Sequence, residues 1–113
     1  MADCLFCHII EGKIPSTKVY EDEFVYAFKD INPQAPVHVL ILPKKHIASL
    51  AETQLLTDEE LAACLRAATK IAKELGLDNG WRLLSNCGKD ACQSVGHLHF
   101  HLLGGRKMSE QMG

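Results

Sequence analysis

Val95-Gly-His-Leu-His-Phe-His-Leu-Leu-Gly-Gly105 decides the reading of this chain. Three histidines, His97, His99 and His101, alternate with Leu98, Phe100 and Leu102, and the whole sequence has only six histidines. Side chains on a strand alternate between its two faces, so strict alternation predicts a strand over 95–103. Its leucines and phenylalanine point into a core. Its histidines form a row on the other face, with neighbours about 6.8 Å apart. Two such histidines can share a metal ion. Three in a row on a regular strand cannot all reach one ion with bonds near 2.1 Å, so at least one has another task. Three readings follow: a solvated histidine face, a metal-binding row, or a nucleophile with acid–base neighbours.

The rest of the chain supplies the elements around this strand. A short helix is expected over 4–12, ending at Gly12 with Pro15 beyond it. Residues 17–22 and 24–30 read as two strands joined by a tight polar turn, and 37–43 as a buried strand after the turn-rich Asn32–Pro36. The clearest helix runs from 58 to 75. Thr57 and Glu60 make a capping box, apolar residues from Leu61 to Leu75 recur at helical spacing, and Gly76 stops it. Residues 81–86 form a further strand, followed by a loop over 88–93. The fold class is α+β: an antiparallel sheet of about five strands with one long helix on a face and a short N-terminal helix.

With 113 residues, of which 47% are hydrophobic, the chain reads as a single domain over 1–113 with a real core. The formal net charge of -2 and the lack of a long basic run argue against a sequence-independent grip on nucleic acid. No apolar run near the N-terminus has the length of a signal peptide or a membrane span, so a cytoplasmic protein without a membrane partner is expected. The five cysteines, Cys4, Cys7, Cys64, Cys87 and Cys92, lack the spacing of a secreted disulfide framework. In a reducing compartment they are metal ligands, catalytic groups or small buried residues. Cys64 fits the last, being on the apolar face of the long helix.

His97-Leu-His-Phe-His-Leu-Leu103 matches every position of the histidine triad pattern, in which three histidines alternate with apolar residues. Residues 28–47 and 82–105 resemble the histidine triad nucleotide-binding proteins, the Hint branch, and residues 4–22 look like their bacterial members. The resemblance covers nearly the whole chain. It implies a HIT-like fold whose sheet continues across a homodimer, with the long helix and the 81–86 strand at the interface. It also implies hydrolysis of purine nucleoside phosphoramidates at the α-phosphorus through a covalent nucleotidyl-histidine. His99 corresponds to the nucleophile and His101 to the donor on a phosphate oxygen. His38 corresponds to a fourth histidine beside the triad, and Ser94 to the group that assists the leaving amine. Asp30 and Ile31 match the nucleoside end. Asn86, Cys92, Gln93 and Ser94 match the phosphate end, where backbone N–H groups of the loop would hold oxygens. Read without the resemblance, Asp30 is a turn residue, and a core histidine is one of the readings open to His38.

The chain departs from the pattern in three places. Cys92 stands where the family usually has glycine, Gly96 where an aromatic residue is common, and the tail lacks a tryptophan that many members carry. The departures at Cys92 and Gly96 keep open a non-catalytic nucleotide-binding or scaffolding protein; a third reading is a dinucleoside polyphosphate hydrolase, against which Gln93-Ser94 and Leu102-Leu-Gly-Gly105 argue. Relatives with the same N-terminal cysteine pair also imply a structural zinc held by Cys4, Cys7, His46 and His97. Two thiolates and two imidazoles would close a tetrahedral site. The other reading of the pair is a reduced, metal-free Cys-x-x-Cys packed on the sheet.

Overall fold

The computed structural model describes residues 4–113. Its elements are helix α1 (Leu5–Ile10), strands β1 (Lys18–Glu21), β2 (Val25–Lys29) and β3 (Val37–Pro43), helix α2 (Asp58–Glu74), and strands β4 (Trp81–Leu84) and β5 (Phe100–Gly104). Short 3-10 turns occupy Leu50–Leu55 and Lys89–Ala91; neither is evident from sequence periodicity. The five strands form one antiparallel sheet in the order β1-β2-β3-β5-β4. The expected α+β architecture is the one observed.

The local signals act as their chemistry dictates. The Thr57 side chain accepts from the Glu60 N–H while the Glu60 carboxylate accepts from the Thr57 N–H, closing the capping box of α2. Gly12 and Gly76 follow the two helices at φ 80° and 72°, where a side chain would be strained. The capping group of α1 is a thiol: Cys4 Sγ accepts from the Cys7 N–H at 3.3 Å. Cys4 and Cys7 thus share one end of a six-residue helix.

The pleat sorts side chains into two layers. Val25, Ala27, Val39, Ile41, Phe100 and Leu102 face α2 and pack with Cys64, Ala68, Ile71 and Ala72. Each fully buried leucine or isoleucine there contributes roughly 1.5–3 kcal/mol. Cys64 is the small buried residue expected, and burial pushes its thiol up to about 12. Tyr26, Phe28, Leu40 and Leu42 face the opposite side and pack under Phe6 and Ile9 of α1. Leu40 is directly paired with His101, so the histidine face is the face that α1 covers.

The last strand is shorter than expected. Ladder pairing starts at Phe100, not at 95. The physical reason lies in β3: its last residue, Pro43, has no N–H to donate, and the chain departs there. Residues 95–99 bond to the departing segment instead. The Leu98 N–H donates to Ile47 O at 2.8 Å, and His97 Nε2 donates to Pro43 O at 2.8 Å. The alternation of faces survives without the ladder: Leu98 is buried with Phe100 and Leu102 in the α2 layer. Among the described residues, no helix is long and apolar enough to cross a membrane.

Candidate active site and metal centre

Two of the three histidines in the row are buried and His101 is half-buried. His97 is fully buried, His99 is 3% exposed, and Phe6 presents its ring edge-on to both, with centroids 6.1 Å and 5.0 Å away. The His99 and His101 rings are 5.1 Å apart, and His38 lies 5.1 Å beyond His101. The fixed backbone around them decides where each proton sits.

His99 Nδ1 lies 2.7 Å from its acceptor, the backbone oxygen of His97. A carbonyl can only accept, so Nδ1 carries a proton, and the neutral form of the ring has its lone pair on Nε2. Ser85 Oγ donates to the His99 carbonyl at 2.7 Å and steadies the same residue from behind. Ser85 escaped the sequence reading because its partner is a backbone atom fourteen residues away.

A second chain of bonds starts at the Gln34 N–H, which donates to His38 Nδ1 at 2.9 Å. The His38 proton therefore resides on Nε2, 2.9 Å from His101 Nδ1. His101 accepts there, so its own proton resides on Nε2, a buried atom without a hydrogen-bond partner among the described residues. Asp30 Oδ2 is 3.4 Å from His38 Nε2. Burial lowers the pKa of His38, with Asp30 opposing. Burial, reinforced by His99 and His38, lowers that of His101 to about 4. Both rings are neutral near pH 7. Asp30, His38 and His101 have the composition of a metal site, but the Gln34 bond keeps a proton on the very His38 nitrogen a metal would need. The Gln34 amide, His38 and His101 form a hydrogen-bond relay with Asp30 beside it.

Beside the row lies a cavity of about 560 Å³ between α1 and β2. Leu5, Phe6 and Ile9 form one wall, Phe28 and Leu40 the floor, and Asp30, Ile31 and Ser94 the rim. The turn reading of Asp30 holds: Oδ1 accepts from the Asn32 N–H at 2.8 Å, while Oδ2 faces His38. Ile31 is 92% exposed and free to cover a ligand. Asn86 is half-buried two residues beyond β4, and Ser94 is exposed.

The loop over 88–93, expected to hold phosphate through its amides, differs from that expectation in one respect. The Gln93 N–H is already engaged by Gly88 O at 3.1 Å. The Gln93 side chain accepts from the Gly88 N–H and donates to Ala48 O and Val95 O. Gln93 is the brace of the loop, and Ser94 is the residue it presents. Cys92 sits at φ 61°, ψ 40°, a left-handed conformation that glycine adopts without strain.

On the far side of Phe6, Cys4, Cys7, His46 and His97 converge, with one ligand atom from each within 4.8 Å of the others. Cys4 Sγ is 3.4 Å from His97 Nδ1, and Cys7 Sγ is 3.4 Å from His46 Nδ1 and 3.6 Å from His97 Nδ1. Tetrahedral zinc with ordinary Zn–S and Zn–N bonds implies sulfur–nitrogen separations of about 3.6 Å. His97 Nε2 donates to Pro43 O, which leaves Nδ1 free to ligate, and burial holds its pKa near 4, so the ring is neutral. Burial and the neighbouring Cys4 push the Cys7 thiol up to about 11, a penalty that a bound cation offsets. The residues fit a metal of zinc's preferences.

An open antiparallel sheet, helices unevenly divided between its faces, and a buried row of tautomer-locked histidines beside a deep cavity define a class of proteins built around the histidine triad. The HIT domain matches residues 11–108, and the chain belongs to this family. It is 50% identical over 107 residues to the 14 kDa zinc-binding protein of Zea mays, covering 93% of this chain and 84% of that protein. The structure of a HIT family hydrolase from Clostridium thermocellum superposes with a TM-score of 0.95 at 50% identity, covering 99% of this chain and 98% of that one. The histidine triad nucleotide-binding protein from Candida albicans superposes at 0.82 with 38% identity, over 98% and 87% of the two chains.

Proposed function

We propose that the protein is a hydrolase that cleaves purine nucleoside phosphoramidates at the α-phosphorus. The observation that carries this reading is the pair of nitrogens left over by the tautomer locks: a lone pair on His99 Nε2 and a proton on His101 Nε2, on adjacent rings. A neutral nucleophile beside a donor aimed where charge develops is what phosphoryl displacement needs. The names of the Clostridium and Candida relatives point the same way.

In this mechanism the nucleoside enters the 560 Å³ cavity, with Ile31 over the base and Asp30 at the ribose. His99 Nε2 forms a bond to phosphorus as the phosphorus–nitrogen bond breaks. His101 Nε2–H donates to a non-bridging oxygen, and His38 holds His101 in that tautomer. Asn86 and the loop of Cys92 and Gln93 frame the phosphate, and Ser94 helps to protonate the departing amine. Water then cleaves the nucleotidyl-histidine and restores His99. Mass spectrometry after mixing with an adenosine phosphoramidate tests the scheme. An AMP adduct on His99 is expected; steady turnover with no adduct, even in quenched samples, rejects the covalent step.

A non-catalytic nucleotide-binding protein is the second reading, favoured by the strained Cys92 in the phosphate loop. Nucleotide binding without turnover would establish it.

We further propose that zinc is bound by Cys4, Cys7, His46 and His97. Four protein ligands leave no position for substrate or activated water, so the metal is structural. The chain functions as a single-domain cytoplasmic homodimer. Leu65, Leu75 and Trp81 are 39–49% exposed on α2 and the edge strand β4, an apolar surface suited to a second copy. Light scattering at micromolar concentration should give twice the chain mass.

A further inference from the structure

Helix α1 takes part in two sites at once. Its N-cap Cys4 and its Cys7 contribute to the metal centre. Leu5, Phe6 and Ile9, interleaved with them, form a wall of the cavity. The Phe6 ring bridges the two, edge-on to His97 of the metal set, edge-on to His99, and 5.6 Å from Phe28 on the cavity floor.

The helix has little else to hold it. It spans six residues, and isolated helices shorter than about 12 residues are marginal in water. Among the described residues, no backbone hydrogen bond joins it to the sheet; its backbone bonds stay within 4–14. What docks it is the burial of Phe6 and Ile9 and the contact of two thiols with two imidazoles. A metal turns those thiol–imidazole contacts into bonds.

We propose that metal loading and nucleoside binding are thermodynamically coupled through α1: zinc on Cys4, Cys7, His46 and His97 fixes the wall against which the nucleoside packs, and a bound nucleoside tightens zinc. The proposal rests on the nucleoside reading of the cavity. Zinc removal leaves α1 on its apolar side chains and the weaker thiol–imidazole contacts, and frees Leu5, Phe6 and Ile9 to move from the cavity wall. A base packed against those residues holds the helix, and with it the cysteine pair, onto the imidazoles. Linkage requires the two effects to be equal.

Calorimetric titration of AMP into zinc-loaded and zinc-free protein measures one arm. Competition for zinc with a chelating dye, with and without saturating AMP, measures the other on the loaded protein, so it stands even where the zinc-free form loses its fold. AMP affinity should fall roughly tenfold on zinc removal, and zinc affinity should rise by the same factor with AMP. Phe6→Ala should retain zinc but abolish the AMP effect upon it. Equal zinc affinity with and without AMP overturns the coupling. Loaded protein that binds no AMP at millimolar concentration overturns the nucleoside reading itself, and the coupling with it.

Discussion

His38 Nε2 lies 2.9 Å from His101 Nδ1, and the direction of that bond is set from outside the pair by the Gln34 N–H on His38 Nδ1. A main-chain amide on the 32–36 turn therefore determines which nitrogen of His101 bears its proton. Exchanging either ring for a side chain that cannot both accept and donate breaks the relay.

The relay has a pH signature. Burial holds His101 at about 4, and it lowers His38 as well, against an unfolded value near 6.5. Between pH 6.5 and 4 the unfolded chain binds protons that the folded chain refuses, so stability rises with pH across that window. The contribution is complete above pH 6.5 and is lost as pH falls towards 4. Denaturant midpoints measured from pH 7 to 4.5 should show a shallower fall for His101→Asn than for the parent. Identical slopes would mean that His101 is protonated in the folded state at mild acidity.

His99→Ala should lower turnover of an adenosine phosphoramidate by roughly a thousandfold or more, since no other lone pair faces the same point. AMP should still bind, because the cavity is lined by α1, β2 and Ser94 and not by this ring. A near-normal rate in His99→Ala would remove the nucleophile from the scheme.

Cys92→Gly should stabilise the protein. Relief of a left-handed conformation is worth about 1–2 kcal/mol, and the added freedom of glycine in the unfolded chain returns about 0.4–1 kcal/mol. The net gain is up to about 1.6 kcal/mol, read as a higher urea midpoint with an unchanged slope. A lower midpoint would show that the Cys92 side chain contributes contacts that outweigh the strain.

Elemental analysis of protein purified without chelators should find about one zinc per chain. Cys4→Ser should lose the metal and lower the melting temperature, whereas His101→Ala should keep it. Chelation should reduce kcat of the remaining folded protein less than it reduces thermal stability, since four protein ligands leave the metal no chemical step. Zinc that persists in Cys4→Ser at full occupancy would move the metal elsewhere.

Much of this molecule was legible in the sequence because much of it is local. The capping box at Thr57 and Glu60, the helical spacing of Cys64, Ala68 and Ile71, and the glycine stops at 12 and 76 involve residues within one or two turns of each other. The alternation of Leu98, Phe100 and Leu102 with the histidines likewise fixed the two faces. The pattern 97–103, together with its similarity to the histidine triad proteins, led to the family. Tertiary structure alone decided the rest, because hydrogen-bond partners come from distant segments. Pro43 cut the last strand back to Phe100, and the brace on Gly88 and Ala48 left Ser94 as the residue presented by its loop. Packing of α1 on the opposite face from α2 buried the histidine row and set Phe6 between a metal centre and a cavity. Which nitrogen of each imidazole holds its proton follows from carbonyls and amides at Pro43, His97 and Gln34. Those groups are common to every residue of the chain, so only their placement in space distinguishes them.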